Sequence, residues 1–204
     1  MICQRGAAIM NKISKKTLIH KNQVADGTLE GINKFNAFEV RWVKKIANRS
    51  RWSGYFATSI SQMFNGWIYP FVATALIFIY GGLSIGIIVP ALLSTIVVHS
   101  FYPFIKRYFQ RVRPIEFDPT IKNGLKVLDR YSFPSGHCMT LTTVSIPIVY
   151  ANSYMFEPLI LTYFVLSWSR ISLGHHYPSD IVAGILLGCL VGFPISFVSS
   201  SLFN

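Results

Sequence analysis

Residues 53 to 105 contain no Asp, Glu, Lys or Arg, and residues 131 to 204 contain three such residues, Glu157, Arg170 and Asp180. A hydrocarbon layer of about 30 Å needs about 20 consecutive apolar residues per helix, so the first block is long enough for two crossings. The pair Gly81-Gly82 offers the turn between them. The second block is interrupted near Asn152-Ser153 and from Gly174 to Ser179, which leaves three apolar stretches. The pattern predicts five spans, roughly 64–80, 84–105, 137–152, 156–172 and 179–200, and therefore an all-α, multi-pass transmembrane helical bundle.

Ahead of that bundle the periodicity changes. Residues 1 to 30 mix Lys, Asn, Gly and Thr without a repeat and read as an arm on the membrane surface. From Phe35 onward, Phe35, Phe38, Trp42 and Ile46 recur at spacings of three and four, with Arg41, Lys44, Lys45 and Arg49 between them. That spacing predicts a basic amphipathic helix lying in the interface, with packing against protein as the alternative use of the same face. The chain thus divides into an arm with its interfacial helix, 1–52, and a transmembrane domain, 53–204. The first 52 residues hold no apolar core of the kind a cleavable signal peptide needs, so the N-terminus is expected to be retained.

Charge changes the picture in one respect. The chain is 51% hydrophobic and 13% charged, with a net charge of +11. Eleven Lys/Arg fall in residues 1–52 and seven in residues 106–130, each set against three acids. Basic residues gathered beside apolar spans fit positive-inside topology and attraction to anionic headgroups, and nucleic acid is not expected as a partner. With five spans, the N-terminus and the 106–136 loop share one face, and the charge rule places that face in the cytoplasm. Cys3, Cys138 and Cys189 have no C-x-x-C spacing, so neither a disulfide nor a metal is assigned to them.

Three clusters join cationic or titratable residues to the ends of apolar spans, where such groups are costly and mark function. The first is Lys106, followed seven residues on by Arg113-Pro114. The second, Pro134-Ser135-Gly136-His137, opens the third span. The third is Ser169-Arg170, then His176, then Asp180 four residues later. Gathered on one face, Lys106, Arg113 and Arg170 would bind a phosphate, the arginine forks matching its paired oxygens. Ser135 and Gly136 would add donors at a positive helix end. Two histidines on separate segments fit the two roles phosphoryl transfer requires. His176 would attack phosphorus, with Asp180 one turn on accepting its second ring N–H, and His137 would serve as acid and base.

The motifs K-x6-R-P, P-S-G-H and S-R-x5-H-x3-D stand here in order and complete, and over residues 53 to 200 the chain resembles the type-2 phosphatidic acid phosphatase superfamily. The resemblance implies a helical bundle in which Lys106, Arg113, Ser135, Gly136 and Arg170 bind phosphate. It also implies His137 as the acid, His176 as the nucleophile and Asp180 as its orienting partner. Familiar membrane members have six spans and act on the outer side, whereas the hydropathy and charge here give five and an inward site.

Rival readings remain beside this one. His137, His176 and Asp180 could form a two-histidine, one-carboxylate metal site, but three neighbouring cations would repel a divalent ion, so no metal and no cofactor is expected. A non-enzymatic lipid-phosphate binder or transporter would need the cations without the nucleophile, and the soluble vanadate-binding haloperoxidases share the signature but not the uncharged spans. The expected partners are membrane lipids and an amphiphilic substrate: a polyprenyl phosphate or pyrophosphate, phosphatidic acid, phosphatidylglycerol phosphate or, with less room for its head, lipid A. His175 reads as a loop neighbour and His99 as a bundle histidine on the face of Lys106. Glu116, Asp118 and Asp129 either position the cations or solvate the loop. Oligomeric state has no signature in the residues.

Overall fold

The computed structural model describes residues 30–47, 50–121 and 129–203. Two compact units divide the chain between Glu39 and Val40. Among the described residues the structure is all helical: α1 (30–47), α2 (Arg51–Gln62), α3 (Ile68–Tyr80), α4 (Ile85–Phe109), the short α5 (Pro114–Phe117), α6 (Gly136–Ala151), α7 (Phe156–Ser172) and α8 (Pro178–Phe203). Helices α3, α4, α6, α7 and α8 fall on the five predicted stretches. The helix α2 was not anticipated as a separate element. It runs into α3 through a kink, Met63–Trp67, where Gly66 adopts φ 114°.

The expected breaks are where the chain turns. Gly81, with φ 57°, opens a 3₁₀ turn over Gly81–Ser84, a second 3₁₀ turn covers Ser153–Met155, and Gly174 takes φ 64° between α7 and α8. At Gly81 and Gly174 the positive φ falls on glycine, which lacks the Cβ that would clash there.

Inside the bundle α8 packs most extensively on α6, and α4 runs against both. The contact of α8 with α6 is backbone-close because Gly184, Gly188 and Gly192 share one face at spacings of four. A Cβ on Gly184 would lie 2.4 Å from the Ser135 carbonyl oxygen, and one on Gly188 would lie 2.5 Å from Thr142 Cβ. Such small-residue stripes let helices approach without a hydrophobic drive between them, and polar side chains then bond across the gap. Thr95 meets Thr143 at 2.8 Å between α4 and α6, and Tyr163 donates to Thr142 at 2.8 Å between α7 and α6.

The outer surface is apolar: Phe78, Ile79, Leu92, Ile96, Phe164, Leu186 and Leu190 are all exposed. Two helical stretches, Trp52–Phe117 and Pro178–Ser201, include windows long and apolar enough to cross a membrane. In water such a surface would be costly, whereas hydrocarbon covers it without penalty.

The amphipathic pattern from Phe35 does form a helix, with Phe35, Phe38 and Trp42 exposed and Lys45 set 5.0 Å over the Trp42 ring. Its Val40 and Val43 are buried instead with Ile121 and Tyr177, so in the second unit the helix also has a protein-facing side. Arg49 lies outside the described residues.

Candidate active site

The site is assembled at one end of the bundle by three connections. Helix α4 ends at Phe109 with Gln110 in the left-handed region, φ 45°, its N–H bonding back to the Lys106 carbonyl at 2.9 Å. The chain then runs through Arg111 to Arg113 and starts α5 with Pro114, whose missing N–H costs nothing at a first helical position. Three backbone bonds knit the three connections together. Ser132 N–H donates to the Arg111 carbonyl at 2.9 Å, Ile115 N–H to Gly174 at 3.1 Å, and Ser135 N–H to Asp180 at 2.9 Å.

A cavity of about 530 Å³ opens there, and its wall includes Arg113, Gly136, His137, Arg170, His175 and His176. The two histidines singled out in sequence thus share one cavity with two of the three expected cations, although 38 residues separate them in the chain. Lys106, Ser135 and Asp180 are buried and do not line the cavity. Gly136 is a glycine for a local reason, because a Cβ there would stand 2.8 Å from the Tyr102 hydroxyl.

Lys106 and Arg113 are engaged with a carboxylate. Lys106 Nζ donates to both Asp129 oxygens at 2.7 Å and to the Tyr131 carbonyl at 2.8 Å. Arg113 reaches Asp129 through Nη2, and its Nη1 donates to the His175 carbonyl at 2.6 Å. Asp129 therefore presents an anion to the donors expected to receive phosphate. Burial raises its carboxyl, but Lys106 and Arg113 outweigh that and hold it below the usual carboxylate range. Of the three loop acids left open by the sequence, Asp129 is the one on the cations. Asp118 turns away to Lys44 at 3.1 Å and to Thr120.

Arg170, in the last turn of α7, is buried and donates through Nη1 to Ser61 on α2, while its Nε has no partner among the described residues. His137 stands in the first turn of α6, with Nε2 2.6 Å from Asn65 Oδ1. His99 also lines the cavity and is satisfied by Thr140 at 2.8 Å, so it combines the two readings its position allowed.

His176 and Asp180 are arranged differently from the helical pair their spacing suggested. His176 lies in the connection before α8, which begins at Pro178, so the two residues do not share a helix. Nδ1 of His176 is 3.7 Å from Asp180 Oδ2, too long for a hydrogen bond, and has no bonding partner among the described residues. The reason is that the carboxylate serves other donors: Oδ2 accepts the Tyr177 N–H at 2.9 Å, closing the first turn of α8, and Oδ1 accepts from Arg111 Nη1 at 2.6 Å. Burial foremost, then Arg170 and Arg113, push the His176 imidazole well below its ordinary value, so at neutral pH the ring is uncharged and keeps a lone pair.

Asn65 and Arg111 were not singled out from sequence. Asn65-Gly66 is a breaker pair inside an apolar block, and Arg111 stands two residues before the motif arginine, so each left a trace.

A profile of the PAP2 superfamily matches residues 84–200. A decaprenylphosphoryl-5-phosphoribose phosphatase of Mycobacterium tuberculosis is 34% identical over 96 residues, 47% of this chain and 52% of that protein. An undecaprenyl-diphosphatase of Sulfolobus acidocaldarius is 33% identical over 90 residues, 43% of each chain. The aligned segments thus span about half the length of these curated relatives. The crystal structure of a transmembrane PAP2-type phosphatidylglycerolphosphate phosphatase from Bacillus subtilis superposes with a TM-score of 0.63 at 21% identity, covering 83% of this chain and 88% of that one.

Proposed function

This chain belongs to the PAP2 superfamily, and on that premise we propose that it is an integral-membrane lipid phosphatase acting without a metal, through a phosphohistidine intermediate. The observation that carries the reading is the single cavity on which His137, His176, Arg113 and Arg170 converge from separate connections.

In the proposed reaction the neutral His176 ring attacks phosphorus, so a P–N bond forms as the P–O bond to the lipid alcohol breaks. His137 gives its proton to the departing oxygen. Water then attacks phosphorus, the P–N bond breaks, His137 takes up the water's proton, and inorganic phosphate leaves. Arg113 and Arg170 neutralise the phosphoryl oxygens, and Lys106 joins them when the substrate displaces Asp129. Arg111 holds Asp180, whose charge favours the positive ring that His176 acquires on phosphorylation.

The substrate is an amphiphile whose head enters the cavity while its tail stays among the apolar outer faces of the helices. The relatives support a polyprenyl phosphate or pyrophosphate: one is named for a decaprenylphosphoryl phosphoribose, one for undecaprenyl diphosphate. The reading assigns the bundle five spans, with residues 1–52 as a basic arm and the site on the cytoplasmic face.

The test is purified protein in detergent with excess chelator, given a panel of lipid phosphates while inorganic phosphate is measured. Release from at least one lipid is expected, with turnover undiminished by the chelator. His176→Ala is expected to abolish release, by about 10⁴-fold or more, while leaving headgroup binding in place. Binding without release by the native protein would overturn the reading in favour of a carrier.

A further inference from the structure

We propose that Asn65 is a positioning residue for the acid–base step: its side-chain amide, presented by the kink between α2 and α3, fixes the ring and proton of His137. The inference rests on the phosphatase reading and deepens it at a residue outside the matched family region, which begins at residue 84.

The kink has a specific local cause. Within Met63–Trp67 the backbone leaves helical geometry at two residues, Asn65 with φ −76° and ψ 22° and Gly66 with φ 114°. A Cβ on Gly66 would meet nothing within 4 Å, so glycine stands there for its backbone freedom and not for lack of room. Such interruptions of helical hydrogen bonding cost stability and are frequent at functional sites. What this one accomplishes is visible in the side chain. Asn65 lines the same cavity as His137, and its Oδ1 lies 2.6 Å from His137 Nε2 across 72 residues of sequence.

An imidazole that must first give and then take a proton needs its ring plane and tautomer set, because rotation about its last torsion is broad and two-fold. A carboxamide suits that task. Its oxygen accepts from Nε2–H when the ring carries a proton there, and the same group turned end for end donates N–H to a bare Nε2. A carboxylate could only accept, and its charge would change the acidity of the ring. Asn65 is uncharged, so its effect is on geometry.

A fault in proton donation can be told from general damage by the leaving group. An alkyl or lipid alkoxide needs a proton as it departs, whereas p-nitrophenolate hardly does. The experiment compares the native protein, Asn65→Leu, Asn65→Ala and His137→Ala on a lipid phosphate and on p-nitrophenyl phosphate in the same detergent. Thermal unfolding checks that each protein is folded. Leucine keeps the branching and heavy-atom count of asparagine without its polar atoms, so it stands in should the alanine variant fail to fold.

The expected result is that kcat/KM, which reports formation of the phosphohistidine and not the hydrolysis step both substrates share, falls about 10- to 100-fold on the lipid phosphate in the Asn65 variants, while on p-nitrophenyl phosphate it falls less than about threefold. His137→Ala is expected to show the same selectivity with larger losses. An equal loss on both substrates, or no loss, in a folded Asn65 variant overturns the role of Asn65. Failure of the phosphatase reading is distinguishable, because the native protein would then release phosphate from neither substrate.

Discussion

Arg111 donates from Nη1 to Oδ1 of Asp180 at 2.6 Å, with the arginine side chain 10% exposed and the carboxylate fully buried. The same guanidinium lies 4.0 Å over the Tyr177 ring and bonds Ser179 Oγ at 2.7 Å. It is therefore braced at the start of α8, where the chain leaves His176.

Removing one member of a buried ion pair strands the other in a medium that cannot solvate it. Arg111→Ala is expected to destabilise the protein by about 3 kcal/mol and to lower activity with it. Arg111→Lys should recover part of the stability, since it keeps the charge but loses the fork and the ring stacking. Urea unfolding in detergent micelles, read by tryptophan fluorescence, measures both. An alanine variant as stable as the native protein would show that the pair contributes nothing net.

Asp129 occupies the donors of Lys106 and Arg113, so an incoming phosphate must compete with it. Asp129→Asn is expected to tighten binding of inorganic phosphate by about tenfold, measured as competitive inhibition of turnover. The pH dependence follows from the depressed carboxyl of Asp129. Its stabilising contribution is fully present above the pKa of an unfolded aspartate and is lost as pH falls through the lower folded value. In Asp129→Asn that part of the acid-side loss should disappear, which a series of unfolding temperatures between about pH 2 and pH 6 would show.

The glycine stripe on α8 makes a graded prediction. Gly188→Ala places a methyl against Thr142 and should cost about 1–3 kcal/mol. Gly184→Ala presses on the Ser135 carbonyl, beside the first turn of α6 that bears His137, and should reduce activity more than its effect on stability accounts for. Gly54, within α2, has nothing within 4 Å of a built Cβ, so Gly54→Ala is expected to be neutral or to stabilise by up to about 1 kcal/mol. Thermal unfolding and turnover measured side by side rank the three.

Topology is open to a direct measurement. Five spans with the basic connections inward put the end of the chain on the outer side, so a reporter fused after Asn204 should give the signal of the outer compartment. A cytoplasmic signal would mean that the span count or the orientation is wrong.

Much of the molecule could be read along the chain, and the reason is locality. The runs 53–105 and 131–204 lack charge whatever their tertiary partners, and a hydrocarbon thickness turns such runs into helices of known length. The breaks at Gly81 and Gly174 were legible because a backbone of positive φ favours glycine. The motif residues His137, His176, Arg113 and Arg170 were legible because ionisable groups at the ends of apolar helices need a purpose. The stripe Gly184, Gly188 and Gly192 was equally present in the spacing, although what it packs against was not.

Partner choice was decided by tertiary structure. Asp180 was expected to serve His176, but its oxygens accept from Arg111 and the Tyr177 N–H, because the α4–α5 loop delivers a guanidinium and α8 starts one residue after Tyr177. Asp129 was one of three ambiguous acids until the fold brought it to Lys106 and Arg113. Asn65 gave no sign of His137, since the two atoms that end 2.6 Å apart belong to residues 72 positions apart in the chain. Residue type and spacing fix what a segment can become, while hydrogen-bond partners are selected by packing among segments that sequence separation does not constrain.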